Sequence, residues 1–229
     1  MRDEILSHHE MVGREGRNLQ AGMNYHVRVG YSIFLMSTRA NAPYYDRWDV
    51  DHGWLVYEGH DAPKREGALD PKTIDQPLEY PSGKPTQNGK FYAAAERTVR
   101  GEAPPEQIRV YEKLDVGVWS DKGMFHLIDG KLVKRDGRKV VEFYLIPIED
   151  EAGEQGSEGV ELPHTRIIPT RVKVAVWKRD RGRCVICGAK TNLHYDHDLP
   201  FSKGGTSLTS ENVRILCAKH NLAKSDRIQ

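Results

Sequence analysis

RCVICGAKTNLHYDHDLPFSKGGTSLTSENVRILCAKHNLAKSDR, residues 183–227, is the stretch from which the rest of the chain is read. Cys184 and Cys187 are separated by two residues, the spacing that lets two thiolates hold one ion from a tight knuckle. Cys217 and His220 repeat the spacing thirty residues later. Three soft sulfurs and one imidazole, paired C-x2-C and C-x2-H, match the ligand set of a closed tetrahedral Zn²⁺ site. The set uses all 3 cysteines of the chain. Asp196 and His197 lie between the two pairs and Asn221 follows the second. Hard-cation ligands and a candidate base are therefore threaded through a zinc staple.

These residue types suit phosphodiester hydrolysis. The reaction builds charge on the bridging and non-bridging oxygens, which a divalent cation held by a carboxylate and an amide oxygen can stabilise. A neutral histidine can take a proton from water near neutral pH. Neighbours on a strand point to opposite faces, so Asp196 and His197 need a bend or bulge to reach one phosphate. A helix starting near Leu216 puts Cys217, His220, Asn221 and Lys224 on one face at i, i+3, i+4 and i+7.

DH-x2-P, SKGG and EN-x4-C-x2-HN-x2-K together resemble the HNH (ββα-metal) endonuclease motif in its zinc-stapled form, over roughly the last sixty residues. The resemblance implies that His197 is the general base, Asp196 the first ligand of a catalytic Mg²⁺ or Mn²⁺, and Asn221 the last. Asn212 would hold the loop that carries the base. Cys184, Cys187, Cys217 and His220 would hold a structural Zn²⁺. Two positions depart from the common pattern: His220 stands where Cys is more frequent, and Asn221 where His often stands. Another register completes the zinc site with His194 and frees His220 for the catalytic metal. A purely structural zinc ribbon, with Asp196 and His197 as loop residues, is the plainer alternative.

The chain has 229 residues, 38% hydrophobic and 29% charged, enough for two modest domains. It contains no apolar run of membrane-spanning length, and MRDEILSHHE lacks the order of a signal peptide. Cysteines spaced for metal suggest a reducing compartment, so a bacterial cytoplasmic protein with no membrane partner is expected. The net charge of +1 hides an asymmetry. Residues 164–229 carry 13 Lys and Arg against 5 Asp and Glu, whereas residues 1–163 carry 21 against 28. A small basic domain suits a polyanion.

From the N-terminus, a short helix precedes Gly13 and Gly16, and residues 25–36 read as one strand. Trp54–Tyr57 is a second strand, after a loop dense in aromatics and carboxylates. Residues 60–90 form a long polar connection with five prolines, and Phe91–Val99 reads as a helix. Strands follow at 108–111, 116–119, 124–128 and 140–146, separated by turns at Asp129-Gly130 and Asp136-Gly137. Residues 149–163 are acidic, Gly-rich and aperiodic, a linker with a reach on the order of 20 Å. Thr170 is placed as the N-cap of a helix to Asp180, with Val172, Ala175 and Val176 inward. Arg171, Lys178 and Arg179 are left for phosphates or for a solvated face.

Ser32-Ile-x-Leu35, Tyr45, Asp49, Asp51-His52-Gly53, Leu55-x-Tyr57-x-Gly59, Asp75-Gln76-x-Leu78, Asn88 and Ile108-Arg-Val110 resemble the SRA domain in order and spacing. That family recognises modified cytosine by flipping the base out of the duplex. By position Tyr45 and Tyr57 would sandwich the base and Asp49 would read its edge, with Asp46 the second choice. Stacking is worth about 1–3 kcal/mol per base, and a carboxylate accepts from the cytosine amino group. The plain alternative makes the tyrosines core and the aspartates turn residues.

The expected fold class is α+β. It comprises an SRA/PUA-like twisted β-barrel with flanking helices (1–148), a linker (149–163) and a ββα-metal (HNH) domain with structural zinc (164–229). SRA followed by HNH resembles the modification-dependent restriction endonucleases. This implies double-stranded DNA carrying 5-methylcytosine or 5-hydroxymethylcytosine as substrate, and a homodimer for a double-strand break. An HNH nicking or homing-type enzyme, or a non-catalytic DNA-binding protein, are the other readings.

Overall fold

A computed structural model describes residues 3–28, 30–39, 41–49, 52–148, 168–200 and 203–224. Among them are ten strands and four helices, an α+β chain that is mostly sheet. The proposed linker, 149–163, lies outside the described residues. The chain divides into two compact units. One takes the described residues up to 17, 112–123 and those from 168 on; the other takes 18–111 and 124–148. Residues 3–17 and 112–123 therefore group with the basic C-terminal residues, not with the acidic half that surrounds them in sequence. No helix among the described residues is long and apolar enough to cross a membrane.

In the second unit the strands are β2 (Met23–Arg28), β3 (Tyr31–Met36), β4 (Arg47–Asp49), β5 (Trp54–Glu58), most of β6 (Glu106–Asp115), most of β7 (Val118–Arg135) and β8 (Arg138–Pro147). Their order is β4-β5-β8-β7-β6-β3-β2, and the two end strands do not pair with each other. The sheet is open where the resemblance implies a barrel. Closure needs an unbroken ladder at both edges. Here β4 has three residues, and β2 shifts register between Asn24 and Arg28, where His26 takes φ 48°.

The stretch read as one strand over 25–36 is two, β2 and β3, reversing at Gly30 with φ 97°. Asp129-Gly130 is not a turn: the chain runs straight through it in β7, with a register shift between Leu127 and Asp129. Asp136-Gly137 does turn, at φ 49° and 82°, the signature of a tight hairpin. Helix α2 (Gln87–Val99) starts earlier than the apolar pattern predicts, because the Thr86 side chain caps it by accepting from Gly89 N. Its buried Phe91 meets Phe34 edge-on, and Phe34 in turn stacks on Tyr57.

The C-terminal unit is built on β1 (Glu4–Ser7), β9 (Leu193–His197) and β10 (Val213–Cys217), with α1 (His8–Glu15), α3 (Thr170–Arg179) and α4 (Ala218–Lys224). β1 pairs antiparallel with β9 on one side and with residues 118–121 of β7 on the other. A capping box between Ser7 and Glu10 ends β1 and starts α1. The apolar core gathers Ile5, Leu114, Val172, Val176, Leu193, Val213, Ile215 and Leu216. Each such fully buried aliphatic side chain contributes about 1.5–3 kcal/mol.

Under that core lies a polar cluster the sequence does not announce. Lys173 is fully buried and pairs with Asp3, while also donating to Ser120 Oγ at 2.9 Å. Lys122 pairs with Glu112 at 2.7 Å, both with no exposed side-chain surface. Thr170 donates to Glu112 instead of capping its helix, and Pro169 occupies the N-cap without a side-chain bond. Ala175, expected inward, is exposed; its inward place belongs to Lys173. Burial disfavours the charge of Glu112, but Lys122 and Lys173 outweigh it and hold the carboxyl below its usual range. Buried ion pairs add little net stability over apolar packing, yet breaking one leaves a desolvated charge alone. Asp3→Ala is accordingly expected to destabilise the C-terminal unit by about 3–5 kcal/mol, read from urea denaturation followed by tryptophan fluorescence. An unchanged midpoint would show that Lys173 is not held by that pair.

Candidate metal centre and nucleic-acid site

The knuckle Cys184–Cys187 is held by main-chain bonds from Cys184 N to Ala189 O and from Gly188 N to Cys184 O, both 2.8 Å. It faces the end of β10 and the start of α4, which carry Cys217 and His220. The four ligand atoms all lie within 4.8 Å of one another. Cys187 Sγ and Cys217 Sγ are 3.8 Å apart, and His220 Nδ1 is 3.4 Å from Cys184 Sγ and 3.3 Å from Cys217 Sγ. Two thiolates at about 2.3 Å from one zinc ion in tetrahedral geometry stand about 3.8 Å apart, so both donor set and spacing fit a metal such as Zn²⁺. His194, the alternative fourth ligand, is outside the group and sits on β9 opposite Leu216.

Burial works against ionisation of Cys184, but the N–H groups of Cys187, Cys217 and Ile186, with the His220 ring, outweigh it. Its thiol is drawn down to about 6, toward the thiolate that a metal needs.

Asp196 and His197 end β9. The β9–β10 ladder runs through them without a shift, Asp196 opposite Arg214 and His197 opposite Val213. No bulge stands between them; the chain bends just after, at Asp198 and Leu199, and the two side chains meet different partners. Asp196 Oδ2 accepts from Lys224 Nζ at 2.5 Å, and His197 Nε2 is 2.9 Å from the buried hydroxyl of Ser207. Lys224 also donates to the main-chain oxygen of His197.

Asn212 ties the loop after His197 at three points. Its Oδ1 accepts from Leu199 N at 2.8 Å, and its Nδ2 donates to Leu199 O at 3.2 Å and Thr206 O at 2.9 Å. Gly205 lets the loop close: a Cβ there would stand 1.9 Å from Leu199 O. Asn221 is half-buried on α4, directly after His220. One carboxylate and one amide are a hard donor set suited to Mg²⁺ or Mn²⁺, with one Asp196 oxygen already committed to Lys224.

Arg179, left for phosphates or for a solvated face, is exposed and donates to the Ser210 and Val213 carbonyls and to Asp180. Asp198 pairs with Arg214 at 2.7 Å.

The proposed base-pocket residues differ in exposure and in partners. Tyr57 is 1% exposed and lies in the core, one face stacked on Phe34 at 4.1 Å. Tyr45 is 59% exposed, with the Arg47 and Arg135 guanidiniums 5.1 and 4.9 Å from its ring. Asp46 is buried and spends both oxygens on the main-chain N–H groups of Ser37 and Glu58. Asp49 is half-buried and binds the His52 ring at 2.9 Å.

Sequence reasoning missed Tyr44 and His60. Their rings stack at 4.7 Å and 11°, and His60 Nε2 lies 3.0 Å from the Tyr57 hydroxyl. Asn88 clamps the His60 backbone on both sides. The Tyr44-Tyr45 doublet and the histidine after Gly59 were the available signals. Burial, helped by Lys72 and opposed by Asp61, lowers His60 from 6.5 to about 4.

No family model matches the chain, and no curated protein does. Solved structures are similar to it. The SRA domain of SUVH5 with hemi-methylated CG DNA is 17% identical, over 69% of this chain and 93% of that one, TM-score 0.43. The same domain bound to fully hydroxymethylated CG DNA is 18% identical over the same shares, TM-score 0.45. The DNA modification-dependent restriction endonuclease AspBHI is 15% identical, over 61% of this chain and 37% of that one, TM-score 0.40.

Cys184→Ser should release the metal and unfold the C-terminal unit, because a closed zinc site carries folding free energy; zinc content and circular dichroism measure it, and a folded, zinc-replete variant would contradict it. A second test concerns His60. Between pH 6.5 and about 4 the unfolded chain takes up a proton that the folded one refuses, so stability falls as pH is lowered. The loss should reach about 3 kcal/mol near pH 4 and disappear from the pH profile of His60→Gln.

Proposed function

We propose that the chain is a modification-dependent DNA endonuclease of the SRA–HNH kind, reading 5-methylcytosine or 5-hydroxymethylcytosine and hydrolysing a nearby phosphodiester. The observation that carries this is a single compact unit that holds the Cys3His cage, Asp196 and His197 at the end of β9, and the Asn212-tied loop. A zinc ribbon alone has no use for that loop.

In this reading the cage is structural and holds Zn²⁺. Asp196 and Asn221 would hold Mg²⁺ or Mn²⁺, which when bound would supply Lewis-acid stabilisation of the charge that develops on phosphodiester hydrolysis. His197 takes the proton of the attacking water, and its bond to Ser207 sets the ring's orientation. Asn212 keeps the loop around the scissile phosphate in shape. Base contacts are assigned to the accessible Tyr45 and Asp49, with Tyr57 as a buried wall. Asp46 is given no base contact because the backbone uses both of its oxygens. One such site nicks one strand, so a double-strand break calls for a homodimer.

The deep burial of Tyr57 favours a second reading, an HNH nicking or homing-type enzyme whose other unit binds unmodified DNA or a partner. A plasmid prepared unmodified and fully methylated separates the two. Selective cutting of the methylated form is expected with Mg²⁺ or Mn²⁺, and equal cutting leaves only the second reading. His197→Ala should lower the rate by about 10²–10⁴ while duplex affinity stays as in the parent. Undiminished cutting by that variant would remove His197 from the chemistry.

A further inference from the structure

Asp196 is the single carboxylate assigned to the catalytic cation, and it is already paired. The Lys224 side chain is 1% exposed and its ammonium meets Asp196 Oδ2 at 2.5 Å. A second bond, to the His197 carbonyl, fixes that ammonium on the β9 backbone, so it cannot swing to solvent without orphaning a carbonyl. The adjacent carboxylate, Asp198, is neutralised by Arg214. The free site thus balances one negative charge with one positive charge.

We propose that Lys224 is the built-in counter-ion of this cation site, a positioning residue that makes divalent binding depend on DNA. The proposal rests on the nuclease reading above. A dication sharing Asp196 would lie close to the ammonium, and at an effective dielectric of about 20 such a close pair of like charges repels by several times RT. Asp196 alone cannot offset both cations. A backbone phosphate bound at the same place brings the missing negative charge and a further oxygen ligand. The pinned Oδ2 meanwhile leaves Oδ1 in a defined direction. The hydrolytic centre would then complete itself only on substrate, and the unloaded enzyme would hold little catalytic metal.

The test uses full-length, zinc-loaded His197→Ala protein, which binds DNA without cutting it. Mn²⁺ is titrated and the free ion counted by electron paramagnetic resonance. Methylated duplex should tighten Mn²⁺ binding at least tenfold. Adding Lys224→Met should tighten it at least tenfold with no DNA present, an effect structural damage would not produce. Lys224→Gln is the parallel variant, read where Lys224→Met loses zinc or its fold. Asp196→Asn should abolish the signal throughout. Equal Mn²⁺ affinity with and without duplex, or an unchanged or weaker affinity in a folded Lys224 variant, overturns the proposal. If the Lys224 effect holds while wild-type protein cuts neither form of the plasmid, the nuclease reading fails instead.

Discussion

Three sulfur atoms and one imidazole nitrogen within 4.8 Å of one another are the constraint on which the C-terminal unit depends. They join a turn near residue 184 to the β10–α4 junction, across more than thirty residues of chain. That junction decides where α4 begins, and so which way Asn221 and Lys224 leave the helix. β9 is braced from the other side by β1. Tyr195, between the two faces, donates its hydroxyl to Lys173 O, and Lys173 pairs with Asp3. The strand bearing Asp196 and His197 is thereby flanked by β10, which carries Cys217 of the cluster, and by β1, next to the buried Asp3–Lys173 pair.

That arrangement gives the N-terminal residues a role their sequence hides. EILS is a four-residue strand with no periodicity to announce it, and it is recognisable only through the edge of β9 that it covers. Lys173 has the same character. On a helical wheel it is one basic residue among several, yet it is fully buried because Asp3 and Ser120 receive it. Neither partner lies near it in sequence, so no local pattern could reveal the pair.

The Cys3His cluster was legible because its spacing is local: C-x2-C and C-x2-H each fix two side chains within one turn, and the four donor atoms do gather. Asn212, read as holding the loop after His197, makes three bonds to it. Tyr57 was not legible. Strand alternation places it inward as readily as it places it in a pocket, and its stacking partner Phe34 comes from another strand. The open sheet was equally hidden, since closure depends on the bulge at His26 and the shortness of β4, neither encoded by hydrophobic pattern.

The account stands on one cation meeting Asp196, Asn221 and a DNA phosphate beside His197. Anomalous diffraction from crystals of the His197→Ala protein with methylated duplex and Mn²⁺, recorded at the zinc and manganese edges, tests it directly. The account predicts a zinc peak among Cys184, Cys187, Cys217 and His220, and a separate manganese peak joining Asp196, Asn221 and a backbone phosphate. Zinc alone, with Asp196 still closed on Lys224 and DNA bound elsewhere, would contradict it.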